Sequence, residues 1–218
     1  MSRVEVVVSD FGGVLTTPLM QAFAAVQEES GIPWEQFGAG MARAAELAGA
    51  QPLFELERGA ISEAEFVRQL DAGMRDVLGR EVTLHGFGER LFAALHPNAQ
   101  LIDFMRDLRG RGYRMAILTN NVREWEARWR AMLPIDEIFE LVIDSAFVGM
   151  RKPEPEIYQL LLERLGVEAA ATVFIDDLEV NCDAARALGM NAVHFQSNEQ
   201  AIAEVESVLD GGSPPAAA

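Results

Sequence analysis

The sequence predicts an α/β protein: a doubly wound parallel sheet core with a small helical block inserted after its first strand. Three observations carry that expectation. Short apolar runs fall at 4–9, 114–118, 141–143, 171–175 and 191–195. From residue 98 onward these runs alternate with segments of helical period, and repeated strand-helix units build parallel sheets covered on both faces. Between about 19 and 95, by contrast, apolar residues recur three and four apart without a second strand pattern, which predicts helices.

The elements follow in order. Val4-Glu5-Val6-Val7-Val8-Ser9 is a strand that ends on Asp10. A helix over 18–30 is stopped by Gly31-Ile32-Pro33, and another over 34–47 tolerates Gly38 and Gly40. Ser62-Glu63-Ala64-Glu65 is a capping box, which starts a helix to Leu78 with Phe66, Val67 and Leu70 on its apolar stripe. The segment 53–62 is read as packing and capping. Helices are predicted over 99–109, 122–133, 156–165 and 180–188, with Gly189 ending the last. Trp34, Phe37, Trp125 and Trp129 are expected to pack rather than to contact a ligand. The tail 211–218 is too poor in packing groups to order itself and is expected to be disordered.

Composition narrows the classes. With 218 residues, half of them apolar, the chain can bury a sizeable core. A net charge of -16 repels phosphate backbones and anionic membranes, so neither a nucleic acid nor a membrane is an expected partner. One cysteine, Cys182, precludes an internal disulfide, and no signal stretch or long uncharged apolar span is seen. A cytoplasmic protein is expected; the sequence leaves the oligomeric state open.

The acidic strand ends carry the chemistry. Asp10 closes the first strand and Asp176-Asp177 the fourth, and parallel sheets gather functional groups beyond the carboxyl ends of their strands. Three carboxylates crowded together repel unless a cation joins them, and an all-oxygen donor set suits magnesium. Thr119 and Asn120 end the second strand, offering a hydroxyl and an amide, while Lys152 offers a point charge.

The order of acid, hydroxyl, lysine and acid pair is carried by Asp10-Phe11-Gly12-Gly13-Val14-Leu15, Leu118-Thr119-Asn120, Lys152-Pro153 and Asp176-Asp177. In these four motifs, over residues 4–196, the chain resembles the haloacid dehalogenase superfamily, mostly magnesium-dependent phosphohydrolases. Its Gly-Gly-Val-Leu form is similar to the branch containing the amino-terminal phosphatase-like domains of soluble epoxide hydrolases. The resemblance implies a Rossmann-like core of residues 1–17 and 97–210 and a type-one helical cap over 18–96. It implies a phosphatase of small phosphorylated metabolites. Asp10 would be the nucleophile, forming an aspartyl-phosphate. Lys152 would neutralise charge, with Thr119 and Asn120 binding phosphate beside it. Magnesium would be held by Asp10, the Gly12 carbonyl, Asp176 and Asp177. Asn181, one helical turn beyond Asp177, would orient an acid. His85, His96 and His194 lack a metal-binding spacing.

Gly12 departs from the pattern, because most such phosphatases carry there a second aspartate that protonates the leaving oxygen and later activates water. Losing a positioned acid/base costs about 100- to 10,000-fold in rate. Three readings stay open: a leaving group that needs no proton, an acid supplied by the substrate, the cap or Thr16, or a phosphate-binding or regulatory protein with little turnover. Haloacid dehalogenation has no need of the metal site, and a phosphomutase needs the missing acid.

Overall fold

Strands β1 (Val6–Ser9), β2 (Arg114–Thr119), β3 (Leu141–Asp144), β4 (Thr172–Asp176) and β5 (Asn191–His194) pair in parallel in the order β3-β2-β1-β4-β5. The computed structural model describes residues 3–82, 84 and 86–211, so the expectations for His85 and for the tail 212–218 lie outside the described residues. The chain walks outward from β1 through β2 to β3, then returns to the other side of β1 for β4 and β5. That reversal makes the β1-β4 seam the switch point, where ligands of open α/β sheets bind.

The strands are apolar throughout because both faces are covered. Val7, Met115, Ile117, Val173 and Ile175 pack on one side with α6 (Ala99–Gly110) and α12 (Asn198–Leu209). Val6, Val8, Ala116, Leu118 and Phe174 pack on the other with α10 (Pro155–Leu165) and α11 (Glu179–Ala187). Helix α12 has no counterpart among the predicted elements. Its start was nevertheless written in the chain: Ser197 and Gln200 form a reciprocal capping box. The helix predicted over 122–133 is instead a 3-10 turn at Arg123–Trp125 leading into α7 (Glu126–Met132), because Val122 is extended and its amide is taken by the Asn121 side chain. Two four-residue helices, α8 (Ile135–Ile138) and α9 (Ser145–Val148), flank β3.

Between β1 and α6 lie five helices: α1 (Leu19–Ser30), α2 (Trp34–Ala48), α3 (Pro52–Glu57), α4 (Glu63–Leu78) and α5 (Phe87–Ala94). Helix α2 packs along α4, and α1 along α5. Glycine inside a helix costs about 1 kcal/mol relative to alanine. Here it lets α2 and α4 meet backbone to backbone, since a Cβ on Gly73 would stand 2.3 Å from the Gly40 carbonyl oxygen. The predicted capping box at Ser62 forms by half. Ser62 accepts from the Glu65 amide at 3.2 Å, but the Glu65 carboxylate turns to Arg68 and Gln69. Phe37, Trp125 and Trp129 are buried as expected, whereas Trp34 is 44% exposed and meets Phe37 edge-on. Among the described residues no helix is long and apolar enough to cross a membrane.

Candidate active site and metal centre

Strand register builds the site. Ser9 pairs with Ile175, and the Asp10 amide donates to the Ile175 carbonyl at 2.8 Å, so the next residues, Asp10 and Asp176, finish their strands side by side. Asp10, Asp176 and Asp177 bring carboxylate oxygens within 4.8 Å of one another. Lys152, almost fully buried, places Nζ 2.8 Å from Asp10 Oδ1 and 2.6 Å from Asp176 Oδ2. The loop after β3 thus inserts a cation between the ends of β1 and β4.

Each of these groups is held by others. The Asn120 side chain donates to the Lys152 carbonyl at 3.0 Å and accepts from the Lys152 amide at 2.8 Å, which fixes the stem of the lysine. Both polar atoms of that side chain are therefore engaged, a positioning role that the sequence did not reveal. Asp176 Oδ1 accepts from the Leu178 amide and from Asn181 Nδ2, each at 2.9 Å. Asn181 thus does meet an acid, and its own carbonyl accepts from the Tyr158 hydroxyl. The Thr119 hydroxyl lies buried at the end of β2, donating to the Asn120 carbonyl at 3.4 Å. Gly12 is buried between Phe11 and Gly13, and Thr16 closes the turn by accepting from the Gly13 amide and donating to the Thr17 carbonyl. His194 contacts the Asp177 carbonyl rather than the carboxylate cluster.

Electrostatics follow from this crowding. Burial pushes the Asp10 carboxyl up to about 8, with Lys152 opposing and Asp176 and Asp177 adding to the rise. Asp177 is raised by burial and then by Asp176. Burial alone would lower Lys152, but Asp10 and Asp176 more than offset it and hold the lysine above its ordinary value. Three carboxylates against one ammonium leave an excess of two negative charges when all ionise. A hard divalent cation fits both that deficit and the oxygen-only donor set.

A family model of haloacid dehalogenase-like hydrolases matches residues 4–189. The chain belongs to that family. This hydrolase is 27% identical over 213 residues to the sesquiterpene phosphatase astK of Aspergillus oryzae, covering 92% of this chain and 94% of that protein. It is 28% identical over 222 residues to bifunctional epoxide hydrolase 2 of Mus musculus, covering 95% of this chain but 39% of that longer protein. A 103-residue stretch is 35% identical to acyl-CoA dehydrogenase family member 10 of Mus musculus, covering 47% of this chain and 9% of that protein. Among solved structures, a HAD family enzyme of Bacteroides thetaiotaomicron in complex with magnesium and inorganic phosphate superimposes with a TM-score of 0.65. The two are 25% identical, with 88% of this chain and 94% of that one covered.

Beside Gly12 the hydrolase encloses a cavity of about 90 Å³, walled by Leu53, Leu91, Phe92, Leu95, Val122 and Trp125 and reaching Thr119 and Asn120. Glu57, the last residue of α3, also lines it. The Arg151 Nε lies 2.7 Å from Glu57 Oε2, Arg58 pairs with Glu154, and the Arg151 guanidinium stacks 3.9 Å over the Phe54 ring. These contacts pin α3 against the loop that carries Lys152. Sequence reasoning missed Glu57, because its partner lies 94 residues away and no local period encodes such a pair. A larger depression of about 810 Å³, lined by charged residues of α4 such as Arg68 and Asp71, shares no lining residue with this cavity.

Asp144 is a buried carboxylate that this cluster does not use. It ends β3 level with Thr119, its Oδ1 accepts from the Ala146 amide at 3.0 Å, and its Oδ2 has no hydrogen-bond partner among the described residues. Burial raises its pKa from 3.8 to about 6, against the pull of the Ala146 amide. Across that window the folded chain holds a proton that the unfolded chain has released, so stability falls as pH rises. Asp144→Asn keeps the cap and removes the buried charge. It is expected to add about 1–2 kcal/mol above about pH 7 and almost nothing below about pH 4. Urea unfolding at both ends of that range checks it, and an equal gain at both would discard the charge explanation.

Proposed function

We propose that this hydrolase is a magnesium-dependent phosphatase of a small phosphorylated metabolite, working through an aspartyl-phosphate on Asp10. The supporting observation is one contact set: the Asp10 carboxylate stands at a strand end within reach of two further carboxylates and of the buried Lys152 ammonium. The sesquiterpene phosphatase, as one of its relatives, and the magnesium and phosphate bound by the Bacteroides enzyme support the same reading. In it, residues 1–17 and 97–210 are the catalytic core and 18–96 the cap.

Asp10 Oδ1 accepts from the Phe11 amide at 2.7 Å and pairs with Lys152, so Oδ2 is assigned as the attacking oxygen. Attack by Oδ2 forms the Asp10-phosphorus bond as the ester bond breaks. Water then attacks the same phosphorus, releasing inorganic phosphate and the free carboxylate. Lys152 offsets the charge of the nucleophile and of the transferring group, while the Thr119 hydroxyl and the Asn120 backbone amide orient phosphate oxygens. Asp10, Asp176, Asp177 and the Gly12 carbonyl would hold magnesium, which would screen the carboxylates from an anionic substrate. Charge stabilisation of this kind dominates phosphoryl transfer.

Gly12 favours one competing reading, a phosphate-binding or regulatory protein with little turnover. A panel of alkyl, aryl and acyl phosphates assayed with magnesium decides between them. Turnover is expected, and EDTA or Asp10→Asn is expected to abolish it, a loss of at least about 10,000-fold for removal of a nucleophile. Phosphate binding without turnover of any ester would replace the phosphatase reading with the regulatory one.

A further inference from the structure

We propose that Glu57 is the acid and base of the reaction, giving a proton to the leaving oxygen in the first half and taking one from water in the second. This rests on the phosphatase reading above. An alkoxide cannot leave without a proton, so an alkyl phosphatase needs a titrating group where the ester oxygen sits. The cavity beside Gly12 is lined by Phe11 and Gly12, the two residues that follow Asp10 in the chain, and among the described residues Glu57 is the one acidic or basic side chain in its lining.

The other polar groups nearby are spoken for. The Thr119 hydroxyl serves the phosphate oxygens, the Asn120 side chain is bound at both ends to the Lys152 backbone, and Asn121 Oδ1 accepts from the Val122 amide. The Thr16 hydroxyl donates to the Thr17 carbonyl within its own turn. None of these titrates near neutrality. Lys152 is locked between two carboxylates.

Glu57 is also held as such a group must be. Its Oε2 is tied to Arg151, which leaves Oε1 to carry the proton, and the Arg58-Glu154 pair anchors the same turn to the core. Burial raises its pKa above the ordinary carboxylate value against the opposing charges of Arg151, Lys152 and Arg58. The balance closes. Protonated Glu57 transfers its proton to the ester oxygen as the phosphorus-oxygen bond breaks and the Asp10-phosphorus bond forms, releasing an alcohol. The Glu57 carboxylate then accepts a proton from water as the water oxygen bonds to phosphorus and Asp10 departs, which restores the acid. The apolar walls around Glu57 suit an alcohol whose body is hydrocarbon.

The test is a leaving-group series with magnesium present, comparing propyl phosphate with p-nitrophenyl phosphate, whose phenolate leaves without a proton. Glu57→Gln is expected to lower kcat/KM for propyl phosphate by about 100- to 10,000-fold and to leave first-half transfer from the aryl ester, read as the p-nitrophenol burst, within about threefold. Gly12→Asp added to Glu57→Gln is expected to restore propyl phosphate turnover. Because Glu57→Gln strands the partly buried Arg151, the double variant Glu57→Gln/Arg151→Met is measured alongside and must give the same split between substrates. Equal losses on both esters in the two variants, or no loss on either, would overturn the role of Glu57 while leaving the phosphatase intact. Wild-type turnover of the aryl ester without the propyl ester would likewise overturn the role of Glu57, whereas absence of wild-type turnover on both esters and on the acyl phosphates of the panel would overturn the phosphatase reading itself and the inference with it.

Discussion

Lys152→Met is expected to be the most damaging single substitution in the core, costing about 3–5 kcal/mol of stability and all measurable turnover. The two losses share one cause. Lys152 Nζ lies within 2.8 Å of oxygens on both Asp10 and Asp176, with 1% of its side chain exposed and essentially none of Asp176. Methionine fills a similar volume but leaves two buried carboxylates facing each other without a counter-charge. The desolvation cost of an unpaired buried ion exceeds that of an exposed one several-fold, so water cannot make up the deficit. Two further measurements separate charge from shape. Asp176→Asn in the Lys152→Met background removes one of the stranded charges, and it should recover part of the melting temperature without recovering activity. Magnesium should raise the melting temperature of Lys152→Met more than that of the wild type, because it supplies positive charge to the same oxygens. A Lys152→Met chain as stable as the wild type in metal-free buffer would mean that the carboxylates are not the source of the strain.

Why this much of the site could be read from the sequence, and no more, follows from which contacts are local. A strand buried on both faces must be apolar at consecutive positions, so Val6-Val7-Val8 and Val173-Phe174-Ile175 announced themselves, and the acids that follow had to emerge at the strand ends. That β1 and β4 are neighbours followed from treating those acids as one cluster, and the register bears it out. Asn181 was legible through helical spacing, although it bonds Asp176 and not Asp177. Asn120 was legible only as the end of a strand. Its grip on Lys152 spans 32 residues and depends on how the loop after β3 returns, which no periodicity records. Glu57 was hidden for the same reason, since Leu53 and Leu56, three apart, describe a helix packing on α4, not a carboxylate turned toward Arg151. Helix α12 was a different kind of miss. Its capping box at Ser197 and Gln200 is a local signal, legible in the chain without any distant contact.

Gly13→Ala is expected to disarm the metal centre while leaving the fold standing. Gly13 adopts φ +80, a left-handed conformation that costs a residue with a Cβ about 1–3 kcal/mol. An added Cβ would also stand 2.3 Å from Asp177 Oδ2, far inside contact distance. The atom it meets is the free end of a side chain rather than backbone, so the lower-energy response is for Asp177 to swing away from Asp10 and Asp176. Glycine at this position is therefore what allows a third carboxylate to join the cluster. The strain and the displaced ligand can be told apart with Gly79→Ala, which sits at φ +64 beyond the end of α4 with open space where its Cβ would go. Both variants should lose comparable stability in urea. Losing one charged ligand is worth about 1.4 kcal/mol or more of cation affinity, so the magnesium concentration for half-maximal turnover should rise at least about tenfold in Gly13→Ala and stay put in Gly79→Ala. Equal magnesium dependence in the two variants would place Asp177 outside the metal shell and leave Asp10, Asp176 and the Gly12 carbonyl to hold the ion.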